Sequence, residues 1–251
     1  MVYFVGAGPG AVDLITVRGK KLLEEADLIV YAGSLVNPEL LDFARPGCVK
    51  KNSADMTLEQ VIEAMVPFAR QGKTVVRLHT GDPSVFGAIR EQMDALKSRG
   101  VPFQVVPGVS SFCGAAATLG AEYTLPGVSQ TVILTRLAGR TPVPPRESVR
   151  SLSEHRSSMA VFLSAGMTGR LKEELLAGGY PAETPAAIVY KATWPDEKIV
   201  RGTVARLPEM AEQAGITKTA LILVGGFLGE DYERSRLYDP SFSHGFREKS
   251  V

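Results

Sequence analysis

The sequence predicts an α/β protein of two domains, and three observations carry that expectation. Extended apolar runs alternate with helical patterns from the first residues, the mark of a parallel sheet. Three glycine-centred corners, Gly6-Ala7-Gly8-Pro9-Gly10, Thr80-Gly81-Asp82-Pro83 and Pro107-Gly108-Val109-Ser110-Ser111, each follow such a run. After Ala121 the pattern pauses through Tyr123-Thr124-Leu125-Pro126-Gly127, and a second set of strands begins. Ligands of open α/β sheets bind in the crevice beyond the carboxyl ends of the strands. Glycine, lacking a Cβ, lets the strand-end turn tighten and lets a ligand approach the main chain. Three corners of this kind predict one shared pocket.

In the first domain, residues 1–120, the expected strands are Val2 to Val5, Leu28 to Tyr31, Thr74 to Leu78 and Phe103 to Val106. Thr57 with Gln60 three residues later reads as a capping box. Leu58, Val61, Ile62, Met65, Val66 and Ala69 follow at helical spacing, Gly72 closes the helix, and Pro67 is expected to kink it. A second helix is predicted from Ser84 to Lys97, with Val85, Ile89, Met93 and Leu96 as its buried stripe and Gly100 just past its end. Ser111 to Leu119, with Gly114 and three consecutive alanines, reads equally as a helix under a pocket or as plain close packing on the sheet. In the second domain, residues 121–228, strands are expected at Thr131 to Thr135, Met159 to Leu163, Ala187 to Tyr190, Ile199 to Val204 and Ala220 to Val224. Gly139 to Arg146, carrying three prolines, is a surface loop and a candidate lid. From Gly229 onward, with Arg234, Arg236, Arg247 and Lys249, apolar periodicity is lost, and residues 229–251 read as a tail ordered only if something docks it.

A chain of 251 residues with 45% apolar content buries a substantial core, which excludes wholesale disorder. Twenty-eight basic against 27 acidic residues leave a net charge of +1, against an obligate nucleic-acid binder. Cys48 and Cys113 stand in no metal-like spacing with His79, His155 or His244, so neither a disulfide framework nor a metal site is expected. No apolar run is long enough to span a bilayer and no leader-like segment precedes Val2, so the expectation is a soluble, cytoplasmic protein with no membrane partner.

The first corner is close to a dinucleotide fingerprint, but Ala11 stands where the third glycine belongs, Pro9 fits poorly, and Ala32-Gly33-Ser34 follows the second strand where a ribose-binding acid is expected. An NAD(P)-dependent oxidoreductase is therefore the weaker reading. A sensor that binds a nucleotide without turnover is a third. Gly72-Lys73-Thr74 is no phosphate loop, because Pro67 occupies the first glycine position and the triplet leads into a strand. Asp82, before a proline at a turn, reads more readily as an Asx cap than as a catalytic carboxylate. His79 is either packed or a base. No nucleophile-base-acid order can be assembled.

Val5-Gly6-Ala7-Gly8-Pro9-Gly10 with Asp13-Leu14-Ile15-Thr16, Gly81-Asp82-Pro83-Ser84-Val85-Phe86-Gly87, and Val106-Pro107-Gly108-Val109-Ser110-Ser111 together resemble the tetrapyrrole (corrin/porphyrin) methylases. The resemblance extends to the late Thr219-Ala220-Leu221-Ile222 strand. Tyr31-Ala32-Gly33-Ser34-Leu35-Val36 is similar to the branch that methylates precorrin-4 or cobalt-precorrin-4 at C11 in cobalamin biosynthesis. Another ring position within the family is the alternative. The resemblance implies two α/β domains with S-adenosylmethionine in the cleft between them, S-adenosylhomocysteine as product, a tetrapyrrole substrate and a homodimer. It implies cofactor contacts at Pro9, at Thr80, Gly81, Asp82 and Val85, and at Ser110 and Ser111. In the second domain it implies Leu163, Ala192, Thr219 and Ala220.

Gly6, Gly8, Gly10, Gly33 and Ser34 are expected to line the substrate trough. Arg18, Lys50, Lys51, Arg77, Arg136, Arg140 and Lys191 are candidates to pair with the substrate's carboxylates. A sulfonium donor leaves as a neutral thioether, so alignment can dominate the rate and no catalytic side chain is assigned.

Overall fold

A computed structural model describes residues 1–248, with the side chains of Ser34 and Tyr238 outside the described part; Lys249 also lies outside it. The chain forms two compact units. Unit 1 comprises Met1–Ala115 with Lys191–Glu197, and unit 2 comprises Ala116–Tyr190 with the chain from Lys198 onward.

Unit 1 is a five-stranded, all-parallel sheet. Its elements in order are β1 (Val2–Gly6), α1 (Val17–Glu25), β2 (Leu28–Tyr31), β3 (Val49–Asn52), α2 (Leu58–Arg70), β4 (Val75–His79), α3 (Ile89–Ser98), β5 (Phe103–Val106) and α4 (Ser111–Leu119), the last running across the unit boundary. The strand order is β3-β2-β4-β1-β5. A sheet of this kind is covered on both faces. One face packs Val2, Phe4, Val30 and Val75 against Ile62, Met65 and Leu96 of α2 and α3. The other packs Val5, Ile29, Val76 and Leu78 against Leu23 of α1 and the Leu40-Leu41 turn.

The predicted capping box is present: Thr57 N–H donates to Gln60 Oε1 at 2.8 Å, and Gln60 N–H donates to Thr57 Oγ1. The helix runs on through Pro67 to Arg70. Pro67 and Glu63 are both exposed, so water can serve the carbonyl that loses its i+4 donor.

Two expectations are corrected. The helix predicted to begin at Ser84 begins at Ile89, because Phe86 (φ 54°) and Ala88 (φ 48°) are left-handed and interrupt any helix running out of the corner. Its buried positions are Ile89, Gln92 and Leu96, with Val85 and Met93 half-buried. The edge strand β3 was not expected. Val49-Lys50-Lys51-Asn52 has one apolar residue, and an edge strand paired only to β2 needs no buried face.

Unit 2 holds a mixed sheet: β6 (Val132–Arg136), α5 (Val149–Ser153), β7 (Ser158–Phe162), α6 (Thr168–Ala177), β8 (Pro185–Tyr190), β9 (Lys198–Thr203), α7 (Leu207–Ala214) and β10 (Ala220–Val224). The order is β6-β7-β10-β8-β9, with β6 and β7 parallel and β10 antiparallel to both its neighbours. Met159, Val161, Ile188 and Ile222 pack against Leu171, Leu175, Leu207 and Met210 of the helices.

The candidate lid is tied to its own strand. Arg136 donates to the carbonyls of Leu137 and Thr141, each at 3.2 Å, and of Pro142 at 2.8 Å. Within the described tail, Arg247 Nη2 donates to the carbonyls of Leu237 (2.8 Å) and Asp239 (2.6 Å), and Glu233 N–H donates to Pro126 O at 3.0 Å. No helix of the described residues is long and apolar enough to cross a membrane.

Candidate functional site

The strand order places β1 between β4 and β5, so the three corners emerge side by side at the carboxyl end of the unit 1 sheet. They touch through bare main chain. A Cβ on Gly6 would stand 2.5 Å from Gly108 Cα and 2.6 Å from Gly81 O, so only glycine permits that approach. Gly81 N–H donates to Gly8 O at 2.8 Å, Gly8 N–H donates back to Gly81 O at 3.3 Å, and Ala7 N–H donates to His79 O at 2.7 Å. The single predicted crevice edge is thus one hydrogen-bonded cluster.

Asp82 takes the capping role. Its Oδ1 accepts from Ser84 N–H at 2.8 Å and from the Ser84 hydroxyl at 2.5 Å, while Oδ2 accepts from Gly108 N–H at 2.8 Å. One carboxylate therefore turns the second corner and ties it to the third. Partial burial works to raise its pKa, but the Ser84 hydroxyl and the Gly108 and Ser84 N–H groups outweigh that and hold it below the usual carboxylate value. Asp82→Ala leaves those donors without their acceptor and is expected to cost about 1–2 kcal/mol at neutral pH. Because the folded pKa is depressed, this contribution is present above the unfolded value of 3.8 and is lost as pH falls through the folded one. Urea midpoints of wild type and variant, apart at pH 7, should converge only as pH falls below 3.8; equal midpoints at pH 7 would remove the clamp.

His79 is packed. It is 5% exposed, its ring centroid lies 6.0 Å from that of Phe4, and Nε2 has no partner among the described residues. Burial, aided by the Arg77 charge, pushes its pKa down to about 3. A neutral imidazole with no route to solvent is a poor proton shuttle. A histidine that stays neutral when folded but takes a proton when unfolded makes stability fall as pH drops from 6.5 towards 3. Between pH 7.5 and 5, wild type should lose about 2 kcal/mol more than His79→Leu, at about 1.4 kcal/mol per pH unit below 6.5. Denaturant titrations at the two pH values measure it, and parallel losses would contradict it.

The other unit 1 positions frame the corners. Thr80 is exposed and its hydroxyl donates to Leu35 O. Ser110 is buried and its carbonyl opens α4 by accepting from Cys113 and Gly114 N–H. Ser111 and Val85 are half-buried. Gly33 (φ 40°) is a required glycine, since a Cβ there would stand 2.8 Å from Ala54 Cβ. The backbone of Ser34 lies in the same short 3-10 turn, Gly33–Leu35.

Three residues that sequence reasoning missed hold the first corner. Asn37 Nδ2 donates to Gly10 O at 2.9 Å, while its Oδ1 caps the next turn by accepting from Glu39 N–H at 3.0 Å. Trp194 Nε1 donates to Pro9 O at 3.1 Å, and Thr193 Oγ1 accepts from Ala11 N–H at 3.0 Å. A Cβ on Gly10 would overlap the Trp194 indole, and one on Gly114 would stand 2.8 Å from Pro9 Cβ. The small helix α4 is thus packed closely under the corner. Asn37-Pro38 carried a readable N-cap signal; Trp194 and Thr193 carried none.

In unit 2 the register sets Leu163, just past β7, Ala220, opening β10, and Tyr190, closing β8, at one end of the sheet. Leu163 (φ 52°) and Thr219 (φ 55°) are both left-handed, and Leu163 is 68% exposed. Non-glycine residues held there carry backbone strain, which clusters at functional positions. Ala192, two residues beyond Tyr190, is buried within unit 1 between left-handed Lys191 and Thr193.

Of the basic candidates, Arg136 spends its donors on its own loop and Lys191 pairs with Asp196 at 2.6 Å. Arg18, Lys50 and Arg140 are exposed, Lys51 is half-buried and Arg77 is buried.

Comparison with known proteins gives this geometry a family. A cobalt-precorrin-4 C(11)-methyltransferase of Methanocaldococcus jannaschii is 53% identical over 248 residues, covering 98% of this chain and 96% of the relative. A precorrin-4 C(11)-methyltransferase of Pseudomonas aeruginosa is 44% identical, covering 98% of each chain. Among solved structures, a cobalt precorrin-4 methyltransferase of cobalamin biosynthesis superposes with a TM-score of 0.89 at 49% identity, covering 91% of this chain and 96% of that one. A uroporphyrin-III C-methyltransferase of Thermus thermophilus, complexed with S-adenosylhomocysteine, gives 0.75 at 29% identity over 90% of this chain and 98% of that one. The profile of the Tetrapyrrole (Corrin/Porphyrin) Methylases matches residues 1–208, and the chain belongs to that family.

Proposed function

We propose that this methyltransferase moves a methyl group from S-adenosylmethionine to C11 of precorrin-4 or cobalt-precorrin-4, a step in cobalamin biosynthesis. The observation that carries the reading is the near full-length likeness to C11-methyltransferases. The convergence of three glycine corners at the carboxyl end of one sheet supports it.

The residues present fit the cofactor. At Gly81 (φ 60°) a Cβ would meet nothing nearer than Ser111 N at 3.5 Å, an ordinary van der Waals distance, so its bare main chain leaves a methyl-sized gap between the second and third corners. When bound, the cofactor supplies a methyl group on a sulfonium that leaves as a neutral thioether. Pro9, Thr80, Gly81, Asp82, Val85, Ser110, Ser111 and Ala192 would hold it, and Leu163, Thr219 and Ala220 are the further contacts that the family likeness supports. Gly8, Gly10, Gly33 and Ser34 would line the substrate trough, with Gly6 setting the approach of the corners that frame it.

No side chain of the site is assigned as acid or base. Asp82 is occupied by three hydrogen bonds and His79 is buried. Positioning alone can carry much of the rate, since effective molarities of well-oriented pairs reach about 10⁵–10⁸ M. The family likeness also supports a cytoplasmic homodimer, which light scattering on the purified protein would test.

Incubation with methyl-labelled cofactor and each macrocycle, metal-free and cobalt-bound, tests the reaction. One label per macrocycle at C11, read by carbon NMR, is expected, and the preferred form identifies the natural substrate. Label at another ring position would move the enzyme within its family, and no transfer to either would overturn the assignment.

A further inference from the structure

The unit 1 sheet contains a buried charge that the corners do not use. Arg77, on the central strand β4, is 7% exposed and forms no ion pair among the described residues. Its Nε donates to Gln92 Oε1 at 3.1 Å and its Nη1 to Val30 O at 3.2 Å. Both acceptors are neutral. They satisfy geometry but leave the guanidinium charge uncompensated, a state that proteins avoid because desolvating an ion is costly unless an opposite charge accompanies it. Burial accordingly pushes the Arg77 pKa down to about 10.

The Nη2 edge is the part of the fork left without a partner among the described residues, and Arg77 lines a cleft of about 160 Å³. At roughly 30 Å³ per water, that volume holds about five waters, room for one carboxylate group and a little solvent. The other walls are Ser53, Met56, Thr57, Leu58, Val61, Glu91 and Gln92. Thr57 and Leu58 open α2, whose N-terminus favours negative charge. The Thr57 side chain is committed at the helix start, its oxygen accepting from Gln60 N–H and its hydroxyl bonding the Glu59 carboxylate. Ser53 is committed as a donor to Tyr31 O at 3.0 Å. Glu91, the one acid on the wall, is exposed and unpaired with Arg77.

We propose that this cleft is a carboxylate site, in which the free edge of Arg77 holds one planar carboxylate beside Gln92. The planar fork of arginine matches that group. Two sources share the chemistry. One is a carboxylate arm of the tetrapyrrole, which rests on the function proposed above, and the other is a free small carboxylate.

Acetate is the probe. Thermal unfolding of wild type in sodium acetate against sodium chloride at equal ionic strength and pH should show a saturable acetate-specific rise in Tm, because a ligand binding only the folded state stabilises it. Gln92→Glu places a carboxylate of the chain's own on Arg77 and should abolish the rise. Arg77→Lys, which keeps the charge but loses the fork, should weaken it and serves if the first variant does not fold. In the same variants, a tenfold or greater rise in KM for the tetrapyrrole, with S-adenosylhomocysteine affinity unchanged, assigns the occupant as the substrate's arm, whether or not free acetate binds strongly enough to move Tm. An acetate rise with unchanged KM assigns a free carboxylate. No acetate rise in wild type, with KM unchanged or no turnover to measure, overturns the site. The Tm reading needs no turnover, so an acetate rise in a protein that transfers no methyl group would remove the proposed function and leave this site standing.

Discussion

Gly6→Val is expected to lose most of the stability of unit 1. A Cβ at this position would sit 2.5 Å from Gly108 Cα, 2.6 Å from Gly108 N and 2.6 Å from Gly81 O, and all three are backbone atoms. No flexible side-chain end can give way. The two corners must separate from β1, which breaks the Gly8–Gly81 pairing and pulls on the Asp82 clamp to Gly108. Overpacking a well-filled site costs about 1–3 kcal/mol where side chains can adjust, so about 3 kcal/mol or more is expected here. For a protein of this size each kcal/mol lowers Tm by roughly 2–4 °C, giving a loss of at least about 6–12 °C, read by calorimetry. A variant within 2 °C of wild type would mean that the corners do not meet as described.

Gly81→Val should behave in the opposite way, sparing much of the stability and abolishing the site. Its Cβ has ordinary room, 3.5 Å from Ser111 N and 3.6 Å from Ser110 Cα. The left-handed φ of 60° is the main penalty, about 1–2 kcal/mol for a residue with a Cβ. The added methyl groups would stand in the space between the second and third corners, where the proposed function puts the cofactor. Affinity for S-adenosylhomocysteine should fall at least about a hundredfold, near 3 kcal/mol by the usual conversion. The chain's single tryptophan, Trp194, donates to Pro9 O at the first corner and offers a fluorescence readout of binding beside calorimetry. Retained affinity in a folded Gly81→Val protein would take the cofactor away from these corners.

The sequence revealed the parts of this protein whose physics is local. Parallel strands buried on both faces, such as Leu28-Ile29-Val30-Tyr31, read as continuous apolar runs, and the glycine corners mark where such strands must turn. The Thr57–Gln60 capping box announces a helix start in four residues. Local patterns failed where the deciding interaction was distant or where two local signals conflicted. The edge strand Val49–Asn52 is held by pairing alone and shows no periodicity. At the second corner, the Asp82-Pro83-Ser84 turn looks like a helix start, but left-handed Phe86 and Ala88 postpone the helix to Ile89. Trp194 reaches Pro9 across 185 residues, a contact no local window contains. Asp82 is intermediate: its cap was readable from Asp-Pro-Ser, whereas its second bond, to Gly108, depends on the strand order.

A crystal structure of the protein with S-adenosylhomocysteine bound tests the corner site most directly. The ligand's polar groups are expected within hydrogen-bonding distance of the main chain at Gly81, Asp82 and Ser110-Ser111, with no acidic or basic side chain at its sulfur. A ligand seated away from all three corners, or a charged side chain placed at the sulfur, would contradict it.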